Sequence, residues 1–260
     1  MRHPDMRKNK LIAILRKKRF HSISELKKKT GTLHATLHRD LNALEKEGRI
    51  RKTYGGVETV PEKYAMREYD KRINLNSGQK MAIARTALKY ISPGDHVFLD
   101  ASSTCFYFGR AIMQSRMEGI TIVTNSLHLL AEYRESDSAA KLVSTGGSVD
   151  RELGAFFGNF TTDFIARISV AKAFISAAGC TVAGGISTTS DYILGALKAV
   201  IAAAPERYCL VDSTKFGRKY LFKVAKLNVF DAIITDDGIE KQVARKIKKA
   251  GLPLLISALP

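Results

Sequence analysis

Two sets of side chains have the types and spacing to do chemistry. The first lies within residues 32–57, TLHATLHRDLNALEKEGRIRKTYGGV. Thr32, His34, Ala35, Thr36, His38 and Arg39 are short or hydrogen-bonding residues on one short stretch. Such side chains suit the floor of a major groove, where each base pair shows its own pattern of donors and acceptors. Arg51, Lys52 and Tyr54 follow, and the two cations among them can neutralise phosphates. The second set is dispersed: Asp100 with Ser102-Ser103-Thr104, Asn125-Ser126, Gly146-Gly147, and Asp212 with Lys215. Small hydroxyl residues ahead of a helix offer N–H and O–H groups to an anion, and the helix dipole favours that anion. A lysine adds compensating charge, and carboxylates and amides orient hydroxyl groups.

The elements that position the first set follow from periodicity. Thr36, Leu37, Leu41 and Leu44 recur three and four apart, so one face of a helix turns inward. Thr32 is a candidate cap at its start, and Gly48 stops it after a lysine-bearing last turn. Arg49, Arg51 and Lys52 then alternate with Ile50, Thr53 and Tyr54 before Gly55-Gly56 turns the chain, which reads as a two-stranded wing. Upstream, Leu11, Ile12, Ile14 and Leu15 form an apolar stripe. Ser22 or Ser24 caps a second helix, and Gly31 breaks it. Helix, short helix, turn, helix and wing make a winged helix-turn-helix over residues 1–57. The competing reading is a small basic helical bundle that binds protein.

Residues 58–76 are polar, carry one proline and lack a strong period, so they read as a linker. From residue 77 to 260 the texture changes. Apolar runs begin at His96, Ile120, Lys141, Ala171, Tyr208, Ala232 and Leu254, with helical patterns between many of them. That alternation predicts an α/β domain, a mostly parallel open sheet covered by helices on both faces. The polar groups of the second set follow these strands. In such sheets the crevice beyond the carboxyl ends of the strands binds ligand.

Composition sets the bounds. The chain has 260 residues, 45% hydrophobic, with a net charge of +17. Residues 1–72 carry 20 Lys and Arg against 9 Asp and Glu, whereas the remainder carries 22 against 16. The basic excess is concentrated where DNA contact is expected. Cys105, Cys180 and Cys209 are odd in number and widely spaced, which fits neither a disulfide framework nor a zinc site. Neither a signal peptide nor a membrane span is expected, and the cytoplasm is the natural compartment.

The string HRDLNALEKEGRIRKTYGGV resembles the DeoR-family signature through Arg39-Asp40-Leu41, Leu44-Glu45, Gly48, Lys52 and Gly55-Gly56. Residues 79–237 resemble the sensor domain of that family through Lys80, Asp100 with Ser103-Thr104, Thr124-Asn125-Ser126, Thr145-Gly146-Gly147, Gly158, Ala178-Gly179, Asp212–Gly217 and Asp236. The chain departs from the family at Thr32-Leu33, at His38, at Ser102 in place of a glycine, and at Asp191-Tyr192. The resemblance implies a bacterial transcription regulator whose sensor is similar in fold to ribose-5-phosphate isomerase. Its implied partners are double-stranded operator DNA and a phosphorylated sugar held by Lys80, Asp100, Ser102, Ser103, Thr104, Asn125, Ser126, Gly146, Asp212 and Lys215. Repression of a sugar-metabolism operon, a homo-oligomer (dimer or tetramer), and no cofactor, metal or catalytic residue complete the expectation. Two rivals remain at this stage. One is a sugar-phosphate isomerase fused to a DNA-binding domain. The other is an architectural nucleic-acid binder with a sensor that takes no ligand.

Overall fold

The computed structural model describes residues 11, 12, 14, 15, 18, 20–46, 50–59 and 68–259. The chain divides into two compact units, Met1–Lys71 and Arg72–Pro260.

In the first unit, helical residues Leu11, Ile12, Ile14 and Leu15 precede strand β1 (Phe20–Ser22), helix α1 (Ile23–Thr30), helix α2 (His34–Lys46), β2 (Ile50–Thr53) and β3 (Gly56–Thr59). Leu11, Leu15, Leu26, Leu37, Leu41 and Leu44 are buried together with Ile50 and Val57. Because the α2 leucines lie three and four apart, their burial leaves its other faces to solvent. Ser22 rather than Ser24 caps α1: its Oγ accepts the Glu25 N–H at 3.2 Å. Gly31 ends α1 at φ 63°, in the left-handed region, with its N–H donating to the Lys27 carbonyl at 3.0 Å. The residue before α2 is Leu33, whose carbonyl accepts the Leu37 N–H at 2.9 Å, so the helix begins one position later than a Thr32 cap requires. Gly48 and Arg49 lie outside the described residues.

The wing has a third strand that the sequence did not announce. β1 pairs antiparallel with β3, and β3 with β2, giving the order β1-β3-β2. The two wing glycines serve different ends. Gly55 sits at φ 79° in open space, a conformation that disfavours a side chain. Gly56 has no room: a Cβ there would lie 2.4 Å from the His21 carbonyl oxygen.

Helix α3 (Glu68–Asn74) precedes α4 (Ser77–Ala87), β4 (His96–Leu99), α5 (Ser103–Gln114), β5 (Thr121–Thr124), α6 (Leu127–Arg134) and β6 (Lys141–Ser144). Then come β7 (Ser148–Asp150), β8 (Ala155–Phe157), α7 (Asn159–Ala166), β9 (Lys172–Ile175), β10 (Gly179–Thr181), β11 (Gly185–Thr188) and α8 (Asp191–Ala203). β12 (Glu206–Leu210), β13 (Phe222–Ala225), β14 (Ala232–Asp236), α9 (Lys241–Lys249) and β15 (Leu254–Ser257) close the chain. The polar stretch 58–76 therefore holds the end of β3 and all of α3. Ile73, which packs on the apolar cluster of the second unit, gives α3 a buried face that a seven-residue window hides.

All seven apolar runs are strands of one sheet. They pair in parallel in the order β15-β14-β12-β9-β4-β5-β6. Both faces are covered, as parallel strands require. Val97 and Leu99 of β4 join Ile83, Phe108 and Leu129 from α4, α5 and α6. Phe98 joins Ile165, Leu197 and Ile247 from α7, α8 and α9. The chain lays β4, β5 and β6 outward, then returns to place β9 on the other side of β4. The winding thus reverses between β4 and β9, the place in an open parallel sheet where ligands are generally bound, at the carboxyl ends of the strands. A two-stranded β7-β8 hairpin and an antiparallel sheet ordered β10-β11-β13 stand beside the main sheet.

Candidate functional sites

On α2 the residues turned from the core are those expected to read DNA. His34, Ala35 and Arg39 are exposed, while Thr32, Thr36 and His38 are half-buried. The His34 and His38 rings meet one turn apart, tilted 43° to each other with their centroids 4.3 Å apart. On the wing, Arg51 and Lys52 are exposed, and Tyr54 is fully exposed at the hairpin turn. The guanidinium groups of Arg39 and Arg51 make no hydrogen bond or ion pair among the described residues. Lys52 is engaged. Its Nζ donates to Asn42 Oδ1 and lies 3.5 Å from Glu45 Oε2, and its N–H donates to Glu45 Oε1 at 2.9 Å. These bonds tie the first wing strand to the outer face of α2. Neither Asn42 nor Glu45 was among the residues expected to act here. The signal was present, since the Leu41–Leu44 spacing turns both positions outward. Glu25 is bracketed by Lys18 and Lys29, each at 2.7 Å, and these two cations hold its carboxyl down at about 2.

In the second unit the expected ligands gather at the carboxyl ends of neighbouring strands. Asp100 bridges the point where the winding reverses: Oδ1 accepts the Ser102 N–H at 3.0 Å after β4, and Oδ2 accepts the Ser176 N–H at 2.9 Å after β9. Ser102 is the cap of α5, its Oγ accepting the Cys105 N–H at 3.1 Å. Its role is to shape the loop rather than to face the crevice with a free hydroxyl. The next two N–H groups, of Ser103 and Thr104, have no hydrogen bond among the described residues. They are the orphan donors of a twelve-residue helix, at its positive end.

After β5, Thr124 Oγ1 donates to the Leu99 carbonyl at 2.7 Å and accepts the Ser126 N–H at 3.1 Å. Ser126 caps α6 by accepting the Leu129 N–H at 3.2 Å. Asn125 is 4% exposed. Its Nδ2 donates to the Phe156 carbonyl at 3.1 Å, while Oδ1 is buried with no partner among the described residues. After β6, Gly146 stands at φ 62°, its N–H donating to Ser144 Oγ at 3.2 Å and its carbonyl accepting from Thr161 Oγ1 at 2.7 Å. Thr161 and the β7-β8 hairpin are partners that sequence reasoning missed, because three-residue strands leave almost no periodic trace.

On the other side of the reversal, Asp212 accepts from the Thr214 N–H at 3.1 Å, from the Thr214 hydroxyl, and from Asn76 Nδ2 at 3.4 Å. Asp236 accepts the Ser213 N–H at 2.6 Å and the Gly238 N–H at 3.1 Å. Lys215 is half-buried, and its ammonium makes no hydrogen bond or ion pair among the described residues. Lys80 is buried, and its Nζ donates to the carbonyls of Arg72 and Leu75. Burial lowers its pKa to about 8; Asp212 opposes that shift, and the charges of Lys215 and Arg72 add to it. Lys80 and Asp212 therefore face the segment before α4, unlike Ser103, Thr104 and Lys215.

The arrangement suits the holding of an anion. Two free N–H groups begin α5 after β4. Lys215 follows β12, two strand spacings away, or about 10 Å. The carboxylates of Asp100, Asp212 and Asp236 are each engaged by donors of their own or a neighbouring loop. The three cysteines are buried, and burial pushes the Cys180 thiol up to about 12 and the others well above their usual range. None of them is a nucleophile. Among the described residues no cluster of three or more His, Cys, Asp or Glu could hold a metal, and no helix is long and apolar enough to cross a membrane.

Comparison with known proteins agrees with both units. Residues 7–63 match the profile of the DeoR-like helix-turn-helix domain, and residues 75–237 match that of the DeoR C terminal sensor domain. The uncharacterized HTH-type transcriptional regulator YgbI of Escherichia coli strain K12 is 30% identical over 254 residues, 98% of each chain. The lactose phosphotransferase system repressor of Lactococcus lactis subsp. lactis is 30% identical over 240 residues, 87% of this chain and 93% of that one. Among solved structures, ribose 5 phosphate isomerase A from Neisseria gonorrhoeae overlaps 54% of this chain and 53% of its own, at 18% identity and a TM-score of 0.39. That overlap is partial, and the fold rests on the sheet order described above.

Proposed function

The chain belongs to the DeoR family of transcriptional regulators, a DNA-binding protein with an effector-sensing domain, and from that premise we propose that it represses a sugar-metabolism operon until a phosphorylated sugar releases it. The observation that carries the effector reading is the start of α5. Ser103 and Thr104 present unpaired N–H groups at the positive end of a helix, beside the reversal of a parallel sheet. Lys215 supplies a free ammonium at the same sheet edge. Asp100 and Asn125 stand between them and β6, where sugar hydroxyls would need acceptors and donors. The relative named as a lactose phosphotransferase system repressor supports the sugar class.

The isomerase reading is weaker. Proton transfer between adjacent carbons needs a carboxylate free to take a proton from the substrate. Asp100, Asp212 and Asp236 are held by two or more loop donors each, which is the geometry of a scaffold. On the DNA side, Arg39 and His38 would read base edges while Arg51 and Lys52 hold phosphates. Two copies of the winged unit would meet two half-sites, so a dimer or tetramer is the working assembly. Titration calorimetry of the full chain tests the effector reading. Ribose 5-phosphate and the 6-phosphates of galactose, fructose and glucosamine, each beside its dephosphorylated sugar, are the ligands. Binding of at least one phosphate, and much weaker binding of its parent sugar, supports it; equal binding, or none across the set, refutes it.

A further inference from the structure

Lys80 and Asp212 stand among the expected effector ligands, yet both side chains hold the segment where the chain enters the sensing unit. Lys80 Nζ donates to the Arg72 carbonyl, in the last turn of α3, and to the Leu75 carbonyl just beyond it. The last carbonyls of a helix have no partner within it, and a cation there also opposes the negative end of the dipole. Lys80 is thus the C-terminal cap of α3. Asp212 Oδ1 accepts from Nδ2 of Asn76, the residue that precedes α4. Asn76 sits at φ 54°, a left-handed conformation that asparagine, next to glycine, adopts most readily. α3 has seven residues. A helix of that length does not persist in water on its own, so its ends and packing decide whether it forms.

We propose that Lys80 and Asp212 are the coupling residues of the effector response: they clamp residues 72–76, and an anion bound by Ser103, Thr104 and Lys215 loosens the clamp. The inference rests on the effector reading above and adds how binding is transmitted. Lys80 lies within electrostatic reach of both Asp212 and Lys215. An added phosphate charge at Lys215 competes with the α3 carbonyls for the Lys80 ammonium. Once Lys80 turns away, those carbonyls lose its hydrogen bonds and α3 frays. A ligand shifts an equilibrium only through a difference in affinity between two states, and a clamped and a frayed connection are two such states.

The test is amide hydrogen exchange on the full chain without any ligand, together with affinity for a duplex selected from a random library by the wild-type protein. Lys80→Met and Asn76→Gly are the variants; the second keeps the backbone conformation while removing the amide that Asp212 holds. Both are expected to speed exchange over residues 72–76 by tenfold or more, with β4 and β9 as protected as in the wild type. Both are expected to weaken binding to the selected duplex about tenfold and to respond less to whichever sugar phosphate releases the wild type. Wild-type exchange and wild-type duplex affinity in Asn76→Gly overturn the clamp, even if Lys80→Met unfolds. An unchanged effector response in a variant whose connection has loosened overturns the coupling. Failure of the wild type to bind any sugar phosphate sinks the effector reading instead, and the ligand-free exchange result judges the clamp separately.

Discussion

Lys52 offers a quantitative test of the DNA-reading surface, because its ammonium is already engaged in the free protein. Its Nζ rests against Asn42 and Glu45, with side-chain exposures of 36% for Lys52 and 40% for Glu45. A DNA phosphate must therefore draw Lys52 from a carboxylate that itself repels DNA. Glu45→Gln keeps an oxygen for the Lys52 N–H and removes only the charge. An exposed pair of this kind is worth at most about 1 kcal/mol at physiological salt, so the variant should bind DNA more tightly by up to about fivefold. Lys52→Ala should remove one phosphate contact. Each contact contributes about 0.9 to the slope of log affinity against log salt, or about 3.5-fold between 50 and 200 mM. The assay is fluorescence anisotropy of a labelled duplex across that salt range. In the double variant the Glu45→Gln gain should shrink, since it acts partly through Lys52. Weaker binding in Glu45→Gln, or an unchanged salt slope in Lys52→Ala with folding intact, refutes the assignment of Lys52 to phosphate.

Other outcomes follow from the same geometry. Lys215→Ala should lower sugar-phosphate affinity in calorimetry by roughly ten- to a hundredfold, the worth of a charge-assisted hydrogen bond of about 1.5–3 kcal/mol, and leave ligand-free DNA binding unchanged. Gly56→Ala should destabilise the winged unit by about 1–3 kcal/mol in denaturant unfolding, because its Cβ meets backbone at 2.4 Å, whereas Gly55→Ala bears only the smaller cost of its positive φ. Leu41→Ala should cost about 2–5 kcal/mol in the same assay. Lys80 supplies a pH signature. Its folded pKa of about 8 lies below the ordinary 10.5, so between those values the unfolded chain binds more protons and overall stability rises with pH. The same linkage governs local opening: a frayed connection exposes Lys80 and restores its ordinary proton affinity, so hydrogen exchange, corrected for intrinsic rate, should slow at residues 72–76 as pH rises past about 8.

Much of this was legible in the sequence because burial imposes periods. The leucines of α2 announced both its core face and, by exclusion, the face that carries His34, His38 and Arg39. Seven apolar runs announced seven strands, since parallel strands are buried on both sides and cannot be polar on one. The polar residues after those strands then had to share an edge. What remained hidden lacks a period. β1, β7, β8 and β10 are three residues long, too short to show an alternation, and β1 pairs with β3 across both intervening helices. α3 buries Tyr69 and packs Ile73 against the cluster of the second unit, and two such residues in seven look like linker. The role of Lys80 was hidden for a different reason. A lysine near a phosphate site reads as a ligand, and only its bonds to the Arg72 and Leu75 carbonyls show that it caps a helix.

The central claim is that a phosphorylated sugar controls how this regulator holds DNA. Its most direct test follows the anisotropy of a labelled duplex, selected by the wild-type chain, as sugar phosphates and their parent sugars are added at constant ionic strength. Release by one phosphate is expected at concentrations where its parent sugar has no effect, with a roughly ten- to hundredfold higher requirement in Lys215→Ala. Equal release by sugar and sugar phosphate, or an identical titration in Lys215→Ala, contradicts it.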